Sequence, residues 1–422
     1  MLAGADMKNG NRDRAERRRR PFWARLRRTL IGWWIDGLSP WMQGSLARLL
    51  RPLPVSSRRV GPPKGTIRDL ESWIGIYQEA QLWTERGKGN WILKVRDREW
   101  VSGKAPLTLE SVVDRAFRER FRCWFPELSV THLRDARMAL PQGAVISPDD
   151  RVFEAFTHNY GRPLLTHPVF QCARLPRLER KEGLWATIIC PGAHHNVGHW
   201  IMDSLPRLGV LEQAGLGDQA TLLVPLNHEW YAEALGALGY GPDRYVGFGM
   251  DHWEFEHLLV PSIVSEAAFM RPSSTLWLRQ RLGVEDLQPK GDRLYIRRSD
   301  AKWRRVVNEE EIIDRLKREG FRPVYLEGLS FQEQLDLFSR AEYVVAPHGS
   351  GLANLLFAPA GVRVVELFAP RYINACFYGI TIAVGQRYAY LVCTAEGYGS
   401  HLDFDDMRVD PERLLKTLRL LD

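Results

Sequence analysis

The apolar positions of the last third of the chain follow two alternating periods. "DRLYIRR" (292–298), "FRPVYL" (321–326), "YVVAP" (343–347) and "RVVELF" (363–368) are short β-branched and aromatic runs that read as strands. Between them, "NEEEIIDRLKREG" (308–320) brings Ile312, Ile313 and Leu316 to one helical face. Asn308 can cap that helix, three glutamates complement the positive end of its dipole, and Gly320 ends it. "SFQEQLDLFSRA" (330–341) opens with Ser330 and Glu333 at capping-box spacing and predicts a second helix. "LANLLF" (352–357) predicts a third. Strands alternating with helices of this length imply right-handed βαβ units and a parallel sheet. Upstream the pattern is mixed, with "LWATIIC" (184–190) and "ATLLVPL" (220–226) as buried strands and "HLLVPSIV" (257–264) as the last strand before a boundary. "PERLLKTLRLLD" (411–422) is an amphipathic helix with Pro411 near its start. The chain therefore divides into an arm and Pro/Ser/Gly-rich linker (1–60), a first domain (61–268), a second domain (269–385) and a C-terminal segment (386–422).

Composition adds little except at one place. A chain of 422 residues, 45% hydrophobic and 26% charged, has the make-up of a globular protein with more than one core. The net charge of +7 is concentrated: residues 11–30 carry nine arginines against Asp13 and Glu16, a surplus equal to that of the whole chain. The remainder is neutral, which argues against a nucleic-acid-binding face. The arm continues with Trp33, Trp34 and Trp41 among Leu and Ile, and no run reaches the ~18 apolar residues a spanning helix needs. Arg- and Trp-rich segments of this kind lie on anionic membrane surfaces, so residues 11–50 are expected to dock there. A basic arm folding over its own domain is the plainer alternative. Five scattered cysteines without a CxxC pair suit a reducing compartment and predict a cytoplasmic protein, peripheral on the inner face of the membrane.

Two stretches carry candidate chemistry. His348-Gly349-Ser350-Gly351 follows a predicted strand and precedes a helix, where free amides and the helix dipole attract phosphate. A tight turn with a capping serine satisfies the same pattern. Glu366, ending the next strand, could accept ribose hydroxyls. Arg297 and Arg298, just past the end of "LYIRR", are suited to a diphosphate; Lys302, Arg304 and Arg305 are more distal. The second stretch is "PGAHHNVGHWIMDSLPRL" (191–208). If it is helical, His195, His199 and Asp203 share one face, and a histidine or carboxylate there could take a proton from a sugar hydroxyl. Pro206 predicts a kink near Asp203. A buried structural histidine, or a metal-dependent hydrolase built on these three side chains, fits the same spacing. Asp403-Phe404-Asp405 matches a DxD pattern formally and is taken as chance.

Residues 294–368 strongly resemble the C-terminal domain of glycosyltransferase family 61, capsular-polysaccharide-biosynthesis members included, and "HNVGHWIMDSLPRL" (195–208) resembles a motif of its N-terminal domain. The resemblance implies a GT-B-like α/β architecture: two Rossmann-like domains facing a cleft, the first on the acceptor side and the second holding the nucleotide-sugar. It implies an inverting transferase, usually without a catalytic metal and without a cofactor, using a donor that is most often a UDP-sugar and a glycan or lipid-linked glycan acceptor. Asp203 then looks like the acid–base residue with His199 beside it. His195, Asn196, His348, Gly349, Ser350, Gly351 and Asn354 look like substrate contacts, with Arg297 or Arg298 on the diphosphate and Glu366 nearby. Ser350 stands where many members have Ala, and Ala353 where Thr is common. The last helix is expected to cross back to the first domain. A nucleotide-sugar-binding protein without catalysis would keep the same loop.

Overall fold

The computed structural model describes residues 61–75, 89–157, 159, 162–172, 174–225, 228–266, 268–298, 301–397 and 405–422; the Trp-rich arm lies outside them. Two sheets carry the fold. The first has nine described strands in the order Gly65–Ile67, Arg151–Phe153, Ala144–Ile146, Leu128–Ala139, His252–Pro261, Glu179–Thr187, Thr221–Val224 and Tyr245–Gly247, with Trp91–Arg96 also paired to Leu128–Ala139. Its last four strands are parallel, and Leu128–Ala139 pairs antiparallel with its neighbours.

The second sheet is the one foreseen: five parallel strands ordered Arg322–Val324, Asp292–Ile296, Ala341–Pro347, Arg363–Phe368 and Arg387–Val392. In chain order this is 2-1-3-4-5, so the winding reverses between Asp292–Ile296 and Ala341–Pro347. In open sheets of this type the crevice beyond the strand ends at that reversal is where ligands bind. Alternating side chains are buried on both faces. Tyr343, Val345, Val365, Leu367 and Leu391 pack under the helices Glu309–Arg318 and Pro411–Arg419. Val344, Ala346, Val364 and Phe368 pack on the other face, against Phe331–Phe338, Ser350–Phe357 and Cys376–Val384. The core on that second face runs on into Trp200, Leu205 and Leu208 of the first half, so the two sheets share one helical layer.

Local expectations are met in part. The final helix packs on the second sheet, where Leu414, Leu415 and Leu418 complete the buried cluster, and it touches the first half through Leu109 and through Arg413, which donates to Glu110. The crossing between halves is made by the first half: Leu107 forms a parallel bridge beside Ala389, and Phe117 is buried among Phe368, Tyr378, Tyr388 and Tyr390. Asn308 does not cap its helix with its side chain, because its amide is bonded to both backbone polar groups of Val409. Ser330 and Glu333 do form the capping box.

Candidate active site

The two sequence motifs meet. The residues 191–195 make a turn, and Asn196 begins the next helix, its Oδ1 accepting from the amides of Gly198 and His199. His195 therefore lies before the helix rather than on its face, and it bonds His194 instead of aligning with Asp203. From Trp200 to Ser204 the helix widens to a π-turn, with the Leu205 N–H on the Trp200 carbonyl. Pro206 explains the widening: its ring cannot donate to the turn above it. The widened turn carries Asp203, whose carboxylate is buried. Oδ2 lies 2.6 Å from His199 Nδ1, and Oδ1 accepts from the hydroxyl of Ser265. His199 is the more exposed partner, its side chain 22% accessible against 5% for Asp203. Ser265 sits on a two-residue strand with nothing in its local sequence to mark it.

On the other side, the strand Ala341–Pro347 ends in the glycine loop, and Ser350–Phe357 follows as a 3₁₀ helix with Leu352 N–H on the Gly349 carbonyl. Ser350 Oγ donates to Asn196 Oδ1 across the gap at 2.8 Å. The approach is close: a Cβ on Gly198 would lie 3.4 Å from Ser350. The Gly349 backbone is extended, and a Cβ there would stand 2.1 Å from Arg298 Nη1, so the guanidinium in this position lies directly against the glycine. Asn354 is buried and bonds Gln334 and the Gly351 carbonyl, tying the loop to the neighbouring helix.

His348 and Glu366 face inward. His348 is buried, stacked on Phe368 and edged by Tyr372, and a neutral ring donates from Nδ1 to Glu366 at 2.5 Å. Burial pushes the imidazole down, outweighing the carboxylate beside it. Glu366 is fully buried, and its other oxygen accepts from Tyr388. Both oxygens being occupied, Glu366 is a post under His348 rather than a ribose contact. Cys376 is buried near both Glu366 and Asp203, and their charges add to burial in pushing its thiol well up. The carboxylate of the first half and the loop support of the second thus both act on one buried thiol.

A cavity of about 640 Å³ opens between the halves, at the switch point. His195, Asn196 and Trp230 line it from the first sheet's side; Arg298, Tyr325, Gly349, Ser350, Gly351 and Asn354 line it from the second. Arg297 reaches its wall but is spent on Glu309 and Glu310 and stacks over Tyr325. Arg298 forms no such close ion pair among the described residues: its Nε bonds the Trp303 carbonyl, and Glu327 acts on it only through its charge. Burial, and then the charge of Arg304, push it down to about 10, which leaves it a cation at neutral pH. Arg304, placed among the distal residues by sequence, bonds the His348 carbonyl through Nε and lies over Tyr372. Two like charges are thus held together at the glycine loop, each disfavouring the other's cationic form.

Residues 197–365 match the family model of Glycosyltransferase 61. The chain carries a glycosyltransferase 61 domain. Part of the chain is 34% identical over 108 residues to Protein O-linked-mannose beta-1,4-N-acetylglucosaminyltransferase 2 of Mus musculus, covering 25% of this chain and 18% of that protein. Another match is 30% identical over 95 residues to EGF domain-specific O-linked N-acetylglucosamine transferase of Bos taurus, covering 21% of this chain and 18% of that protein. The chain thus spans less than a fifth of the length of either relative. The glycosyltransferase 61 domain begins at the helix of His199 and Asp203 and ends beside Glu366, so it contains both sides of the gap. Among the described residues of the chain no group of three His, Cys, Asp or Glu side chains forms a metal-binding cluster, so His195, His199 and Asp203 are not assembled as the hydrolase reading requires. Asp405, from the formal DxD, is buried and paired with Arg371, which makes it a structural residue.

Proposed function

We propose that this chain is an inverting glycosyltransferase that moves a sugar from a nucleotide-sugar, most simply a UDP-sugar, to a hydroxyl acceptor. The observation that carries the reading is Arg298: a poorly solvated cation with no close ion pair among the described residues, only the charge of Glu327 in the same wall, lying against Gly349 in a cavity at the switch point of a parallel sheet. The first-turn amides at Ser350 and Gly351, with Arg298 and Arg304, bind the diphosphate and stabilise it as it leaves. The acceptor hydroxyl enters from the His195–His199 side. Its oxygen attacks the anomeric carbon as the bond to the diphosphate oxygen breaks and that oxygen keeps the electron pair. The hydroxyl proton passes to the His199–Asp203 pair. Because His199 is the exposed member, it takes the proton and Asp203 holds its ring and stabilises the imidazolium. Attack opposite the leaving group inverts the anomeric centre.

The two cations allow the diphosphate to be neutralised without a divalent metal. The layout we assign is GT-B-like, with residues 61–268 on the acceptor side and 269–385 on the donor side. Synthesis of a capsular, exopolysaccharide or other cell-surface glycan in the cytoplasm, at the inner membrane face and with residues 11–50 on anionic lipid, is the setting that the sequence supports. A thermal-shift screen of the full chain against nucleotide-sugars, in chelator, tests the reading. Ligand binding to the native state alone raises the melting temperature, by about 2.7 kcal/mol of stability at a hundred times Kd. A nucleotide-sugar is expected to do so. A panel that leaves the transition unmoved, or a shift that needs added metal, contradicts the reading.

A further inference from the structure

We infer that the hairpin Glu99–Ser102/Arg122–Phe125 is a second contact with an anionic lipid bilayer, separate from the catalytic gap. The register pairs Trp100 directly with Trp124 and Ser102 with Arg122, so both indoles and Arg122 stand on one face. The opposite face is firmly seated. Val101 and Phe125 are buried, Phe125 stacks with Phe269, and Glu99 is bound by Arg271 and Ser273. The outer face is not used in this packing. Trp100 is 47% and Trp124 61% accessible, with their rings 4.9 Å apart. Two large rings held in water on an anchored hairpin mark an interaction surface.

The neighbouring charge selects the partner. Arg98 and Arg122 are exposed and form no ion pair with a described carboxylate, while of the nearby acids Glu119 is held by Arg115 under the charge of Arg118, and Asp97 and Glu127 are held by Lys94. Such a surface repels the arginine-rich arm and a second copy of itself, and it has no need of its arginines for a neutral glycan. The indoles are tilted by 53° and form a ridge, whereas a base or sugar ring stacks on a flat platform. Indole and guanidinium together fit the headgroup layer of an anionic bilayer, where the ring is apolar, its N–H stays wet and the phosphates face cations.

Sedimentation of the full chain with phosphatidylcholine vesicles, and with vesicles containing phosphatidylglycerol, tests this. The arm is present throughout and cancels in the comparison. Trp100→Gln/Trp124→Gln is expected to weaken partitioning roughly tenfold or more, and Arg98→Gln/Arg122→Gln to weaken it on phosphatidylglycerol vesicles alone. Trp303→Gln, at another exposed tryptophan, leaves it unchanged. The inference is overturned if the tryptophan variant melts like the parent and partitions like it. It is also overturned if the parent ignores anionic vesicles, or if the variants lose binding to RNA or polysaccharide while vesicle binding stays intact. Should the tryptophan variant melt early, the arginine variant decides alone: an unchanged lipid preference counts against the inference.

Discussion

Asp203→Asn is expected to lower kcat by roughly 1,000-fold or more while leaving the Kd for nucleotide-sugar within about twofold. The asparagine keeps the shape of the side chain and removes its charge. In the parent, the carboxylate accepts from His199 Nδ1 on one oxygen and from Ser265 on the other, so it fixes the ring and stabilises the imidazolium formed as the acceptor loses its proton. An amide at Oδ2 would present N–H to the histidine nitrogen, favour the wrong tautomer and stabilise no positive charge. Donor affinity is spared because Asp203 is buried behind His199 and does not line the cavity. Single-turnover kinetics beside a donor titration separate the two effects. A protein that only binds nucleotide-sugars would keep its function in this variant.

Arg298→Gln is expected to act on the other parameter, raising the donor Kd by roughly 100-fold, with an equal loss of inhibition by the free nucleoside diphosphate. Arg298 lines the cavity without a close ion pair among the described residues, Glu327 acting on it only through its charge, and its guanidinium lies against Gly349. Arg297→Gln makes the comparison informative. Arg297 is held by Glu309 and Glu310, so its loss unpairs the buried Glu309 and lowers stability with a much smaller change in donor affinity. Isothermal titration of the two variants, with their melting temperatures, distinguishes a ligand for the diphosphate from a prop of the loop. Equal effects on affinity would remove Arg298 from its assigned role.

The sequence was legible where local signals and tertiary structure agree. Capping at Ser330, helical spacing at Ile312, Ile313 and Leu316, and β-branched runs of strand length predicted the parallel sheet, and the glycine loop fell at a strand end as read. Pro206 likewise foretold irregularity beside Asp203, and the π-turn is its form. What escaped is what depends on direction rather than on type. His348 and Glu366 sit at strand ends that look open in sequence. Yet the alternation of the sheet and the aromatic shell of Phe368, Tyr372 and Tyr388 turn both inward. His195 shares a helical period with His199, but Asn196 caps the helix one residue later and leaves it outside. The roles of Ser265 and Arg304 arise from contacts 62 and 44 residues away along the chain. The crossing at Leu107 joins segments 282 residues apart. No local pattern carries such pairings.

The gap itself was foreseen as the meeting of two motifs, and the Ser350–Asn196 bond is where they touch. The central claim is that this gap grips a diphosphate by main-chain amides and arginine. The most direct measurement is a crystal structure of the full chain with a saturating nucleoside diphosphate. The account predicts phosphate oxygens within hydrogen-bond distance of the Ser350 and Gly351 amides and of the Arg298 guanidinium, with the nucleoside extending toward Tyr325. A nucleotide seated elsewhere on the protein, with the cavity between Asn196 and Ser350 empty, would contradict it.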